Sequence, residues 1–116
     1  MTNQEAFETM VRHLRRQGCQ SVSEDGTRCL YRGPNGRMCA VGALISDGEY
    51  QGRWDAKGMR VEHLDLPWLG DLDMRLLEFM QFTHDHVTQS RWEARFMEAA
   101  DIFNLTLPPL EEASPA

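Results

Sequence analysis

Three features of this 116-residue chain predict an α+β fold that is mostly α-helical. Apolar residues recur at helical spacing in three separate stretches. Two of those stretches open on a Ser/Thr-x-x-Glu capping signature. Between the first and second lies a segment dense in turn residues, with room for only a small hairpin or extended piece.

The first helix is expected at about 3–17. Thr2 and Glu5 form a capping box, Phe7, Met10, Val11 and Leu14 mark one face, and Gly18 supplies a left-handed stop. Arg12, Arg15 and Arg16 fall off that face and are expected in solvent. After a polar stretch, Cys29-Leu30-Tyr31-Arg32 reads as a short strand closed by the turn Gly33-Pro34-Asn35-Gly36. The apolar run at 38–46 is a short buried helix or a returning strand. Its small residues Cys39, Ala40, Gly42 and Ala43 favour the helix. Residues 49–68 look irregular, with Trp54 and Trp68 folding back onto the core.

A second main helix is expected at 71–86, with Asp71 and Asp73 at its positive end, and a third at 90–104, where Ser90 and Glu93 suggest another capping box. The short break between them predicts an antiparallel pair. Pro108-Pro109 stops any continuation, so residues 1–110 read as one domain and 111–116 as a frayed acidic tail.

Composition narrows the function. The net charge of −6 disfavours a general nucleic-acid binder, whose phosphate contacts need cationic surface. The charge is uneven: residues 1–60 carry nine basic and seven acidic groups, and residues 61–116 carry three and eleven. Eleven of the twelve basic residues are arginine, which pairs with carboxylates or phosphates through a planar fork. No apolar run approaches the ~18–20 residues of a membrane span, and the amino-terminal residues lack the pattern of a secretory signal. The expected location is a cytoplasm. Cys19, Cys29 and Cys39 are odd in number and form no Cys-x-x-Cys pair, which points to reduced thiols.

Three constellations are candidates for chemistry. In the first, Cys39 is a nucleophile at a helix start, His84 its base and a carboxylate such as Asp85 the orienter. Helical geometry weighs against it, because Asp85 projects about 100° away from His84 on a regular helix. The apolar neighbours of both residues also fit core packing. In the second, His84 and His86 hold a metal ion with Cys39 or Cys29, which requires the helix to end near Thr83. In the third, Arg28, Arg32 and Arg37 flank the Gly33–Gly36 turn and bind an anion, with an internal carboxylate such as Asp71 or Asp73 the preferred partner. No nucleotide-binding or hydrolase motif is present.

The segments Tyr31-Arg32-Gly33, Cys39-Ala40-Val41-Gly42 and His84-Asp85, followed by Trp92 and preceded by a Gln4-Glu5-Ala6-Phe7 helix, resemble a family of small uncharacterised phage and prophage proteins. The resemblance spans most of residues 4–103. It implies a phage accessory gene acting in a host bacterial cytoplasm, and it implies no reaction.

The expected function is accordingly binding, with no cofactor and no direct contact to nucleic acid or membrane. The chain reads as a modulator or inhibitor of a host protein, such as a nucleic-acid-handling defence complex of the CRISPR kind. Glu62, Asp65, Asp71, Asp73 and Glu78 would face a basic groove, with Trp54 or Trp68 as an aromatic anchor. The competing readings are a thiol-dependent enzyme using Cys39 and His84, and a self-associating structural subunit.

Overall fold

Helix α1 spans Asn3–Gln17 as its sequence signals require. Glu5 N–H donates to Thr2 Oγ1 at 3.1 Å and Thr2 N–H to Glu5 Oε1 at 2.8 Å, closing the capping box. Gly18 ends the helix at φ 68°, where its N–H reaches Leu14 O at 2.9 Å. Ala6, Phe7, Met10, Val11 and Leu14 are fully buried. Around this stripe the rest of the chain is organised. The computed structural model describes residues 1–110, so the tail expected at 111–116 lies outside them.

The polar side of α1 acts as a clamp for distant segments. Gln17 brackets Met38 like a strand partner, donating from Nε2 to Met38 O at 2.8 Å and accepting Met38 N–H at 2.9 Å. Gln4 does the same for Thr106, with both bonds at 2.8 Å. Asn3 accepts Asp73 N–H at 2.8 Å. Arg15, expected in solvent, instead pairs with Glu93 at 2.8 and 2.9 Å and donates to Pro108 O at 2.9 Å, tying α1 to the far end of the chain.

The β component expected at 29–32 does not form. Among the described residues there is no strand, only one antiparallel bridge, Val22 to Cys29, flanked by Leu30 N–H to Ser21 O at 2.9 Å and Ser23 N–H to Arg28 O at 2.8 Å. Beyond Leu30 the backbone donors turn elsewhere: Tyr31 and Arg32 N–H bond to the two oxygens of Asp55, at 2.8 and 3.1 Å. A side chain thus replaces the second strand. The run at 38–46 is helical only at Val41–Leu44, as a 3-10 turn packed against α1.

The irregular stretch contains one short helix not expected from sequence, α2 (Gly52–Ala56), which buries Trp54. A 3-10 turn at Pro67–Asp71 precedes α3 (Met74–His86). The cap of α3 is therefore Asp73, accepting Arg75 N–H, and the helix starts three residues later than expected. Helix α4 spans Trp92–Ile102. The predicted Ser90–Glu93 box is absent, because residues Gln89–Arg91 form a 3-10 turn and Glu93 is drawn to Arg15. Helices α3 and α4 are antiparallel: His84 lies 6.1 Å from Trp92 and Phe79 lies 5.9 Å from Phe103, ring centre to ring centre. No helix among the described residues is long and apolar enough to cross a membrane.

Candidate functional site

The residues singled out for chemistry turn out to hold one another. Cys39 is fully buried, and its Sγ accepts Gly42 N–H at 3.3 Å, the bond a serine would make at a helix start. Burial pushes its thiol up to about 12 against the partial opposition of the Gly42 bond. That is the reverse of the activation a catalytic thiol needs.

His84 is also fully buried. A backbone N–H only donates, so the 2.8 Å contact of Ser21 N–H with Nε2 makes that nitrogen the acceptor. A neutral ring then carries its proton on Nδ1, which lies 2.6 Å from Asp85 Oδ1. The expected 100° divergence of neighbours does not separate them. Both sit in the last turn of α3, and Asp85 turns back onto the ring.

The pair resembles the base and orienter of a triad, but the nitrogen that would serve a nucleophile is closed off by Ser21. We expect Cys39 to resist iodoacetamide in the native protein at neutral and mildly alkaline pH, with labelling only under denaturing conditions. Labelling with a half-point below ~8.5 would restore the thiol enzyme.

The metal reading changes partners and then fails on the same nitrogen. Among the described residues the one set of ligand atoms lying within 4.8 Å of each other belongs to Cys29, His84 and Asp85; neither Cys39 nor His86 joins it. A metal on Nδ1 would require the remaining proton on Nε2, facing the Ser21 N–H donor. Burial and the nearby Asp85 carboxylate push the Cys29 thiol up to about 12.

Of the three arginines at the turn, Arg32 is the one most extensively bonded into the fold. Arg32 donates to Gly42 O at 2.8 Å and Ile45 O at 2.6 Å, lies 5.1 Å from the Tyr50 ring centre and pairs with Asp47 at 3.3 Å. Its partners are carbonyls and Asp47, in place of Asp71 or Asp73. Arg28 donates to Asp55 O at 3.1 Å. Across the turn base it is Gly33 N–H and Arg37 O that meet, at 2.8 Å, and Arg37 is half-buried.

A cleft of about 470 Å³ opens between α3 and the segments around Cys29–Tyr31 and Gly58–Glu62. Its floor is one stripe of α3, Glu78, Gln81, Phe82 and Asp85, with His86 at the end. Glu62 stands on the opposite wall beside Met59 and Val61. Four carboxylates (Asp55, Glu62, Glu78, Asp85) face a single guanidinium, Arg60. Of the acidic residues expected to form a binding face, only Glu62 and Glu78 line this cleft. Asp65 pairs with Arg53, Asp73 caps α3 and holds Arg75, and Asp71 is exposed at a turn end. Trp54 lies wholly in the interior, which removes it as an exposed anchor, and Trp68 is half-buried with its indole N–H on Glu49 at 2.8 Å.

Sequence reasoning missed Phe82, Gln81 and Asp85 as cleft residues. The signal was available: Glu78, Gln81, Phe82 and Asp85 recur at i, i+3, i+4, i+7, opposite the apolar stripe.

Buried thiols and phenols give the fold a pH signature. Folding holds Cys29, Cys39 and Tyr50 near 12, each mainly by burial, above the range in which an unfolded chain ionises them. Between pH 9 and 12 the folded state therefore binds more protons, and stability falls as pH rises. Thermal midpoints should drop steadily across that window. A flat profile would show these groups to be solvated.

Compared with models of known families, with curated proteins and with solved structures, the chain shows no significant match.

Proposed function

We propose that this chain is a small phage-type accessory protein that binds a host protein and modulates or inhibits it. The target class is a complex with a basic groove, as in nucleic-acid-handling defence assemblies. The observation that carries this reading is the cleft beside α3, lined by four carboxylates, the Arg60 guanidinium and an exposed phenylalanine. Such a surface attracts a cationic partner and anchors it on an aromatic group. Supporting it, the residues that would make the chain an enzyme are closed into the scaffold. The resemblance to phage and prophage proteins makes a bacterial host protein the natural target. Occlusion of the partner's groove would be the mechanism.

The test is capture of partners from bacterial lysate by the tagged chain and by a Glu62→Gln/Glu78→Gln variant, at rising salt. Capture should weaken steeply between about 0.05 and 0.5 M salt and be lost in the variant. A partner held equally by both proteins at high salt would remove the reading.

A further inference from the structure

We propose that the cleft beside α3 receives an arginine side chain of the partner protein. This rests on the reading above and names the group recognised.

The cleft presents open acceptors. Glu78 is exposed and has no hydrogen-bond or ion-pair partner among the described residues. Asp85 uses Oδ1 for His84 Nδ1 at 2.6 Å and Gln81 Nε2 at 3.2 Å and has the Cys29 thiol beside it, so it contributes charge to the cleft. Glu62 meets Arg60 through Oε1 at 3.1 Å, and the Arg60 side chain is 77% exposed, so this pair is weak and displaceable. Asp55 contributes charge alone, since both its oxygens accept from Tyr31, Arg32 and Tyr50.

Between these carboxylates the lining is aromatic and apolar. Phe82 is 52% exposed and its ring lies 4.9 Å from that of His86. The surface already holds one guanidinium in this manner: Arg95 sits 3.9 Å from the Phe79 centre and 5.7 Å from that of Phe82. Trp54 lies beneath the same wall with no exposed surface, and its buried indole N–H has no acceptor among the described residues.

A guanidinium fits better than an ammonium for two reasons. Its planar fork offers five donors to carboxylates on both walls, and its face stacks on a ring. A lysine supplies only a point charge to the same site.

Three short Gly/Ser peptides, each carrying two arginines, two lysines or two citrullines, are titrated into the ¹⁵N-labelled full chain. The arginine peptide should shift the amides of 58–62 and 78–86. The lysine peptide should bind several-fold more weakly, and the uncharged citrulline peptide should leave the spectrum unchanged. Glu62→Gln/Glu78→Gln, both surface changes, should weaken the arginine peptide by about tenfold while the thermal midpoint holds. Equal binding of arginine and citrulline peptides would overturn the proposal, as would shifts confined to another face. If the lysine peptide matches the arginine peptide while partner capture stays salt-sensitive, arginine recognition falls and the basic-partner reading stands. If no cationic peptide binds and capture ignores salt, both fall.

Discussion

Replacing Gly42 with alanine is expected to destabilise the fold by about 3 kcal/mol, as an overpacking change against atoms that cannot move. A Cβ at this position would lie 2.5 Å from the Tyr31 carbonyl oxygen and 3.2 Å from Cys39 Sγ. Tyr31 has nowhere to retreat. Its N–H is held by Asp55 at 2.8 Å and its hydroxyl donates to Met59 O at 2.7 Å. Moving Gly42 itself would break its N–H bond to Cys39 and its carbonyl bond to Arg32. Gly48→Ala is the control, because nothing lies within 4 Å of a Cβ there and its φ is not left-handed. Urea unfolding should show a large fall in midpoint for Gly42→Ala and a change within ~0.5 kcal/mol for Gly48→Ala. Comparable effects at both sites would mean that the close approach of residues 31 and 42 does not hold in solution.

His84→Ala is expected to be at least as damaging, by about 4 kcal/mol, because it combines a cavity with orphaned polar groups. The substitution empties a fully buried site against Trp92, deprives the Ser21 N–H of its acceptor and removes the donor to Asp85 Oδ1. Asp85→Asn should be milder, near 1–2 kcal/mol, since an amide oxygen still accepts from Nδ1. A catalytic imidazole would behave in the opposite way, with activity lost and stability little changed or raised.

These two sites explain why the sequence was legible in some places and opaque in others. The bounds and buried face of helix α1 could be read directly, because its cap, stripe and stop are all set by neighbours within four positions, whereas the distant partners of Arg15 could not. The apolar stripes of α3 and α4 were equally plain. Their starts were not. Glu93 left the local box for Arg15, 78 residues away, and the residues before Asp73 tightened into a 3-10 turn. The middle of the chain was opaque for a related reason. Its backbone groups pair with side chains from elsewhere, namely Asp55, Gln17 and His84, and no periodicity announces such partners.

The same cause misdirected the candidate site. Cys39, His84 and Arg32 are candidates for chemistry in the sequence, and the structure uses their polar groups internally. The Tyr-Arg-Gly, Cys-Ala-Val-Gly and His-Asp segments are three parts of one brace that holds a loop-rich region on two helices. The α3 stripe that lines the cleft, Glu78, Gln81 and Phe82 with Asp85 at its end, overlaps the motif segments only at Asp85.

Long-range ¹H–¹⁵N correlation of the His84 imidazole at neutral pH tests this division most directly. The expected spectrum has a slowly exchanging proton on Nδ1 and a bare, hydrogen-bonded Nε2, as the Ser21 and Asp85 contacts demand. A proton found on Nε2, or a ring nitrogen in fast exchange with water, would return the histidine to the chemistry it has been denied.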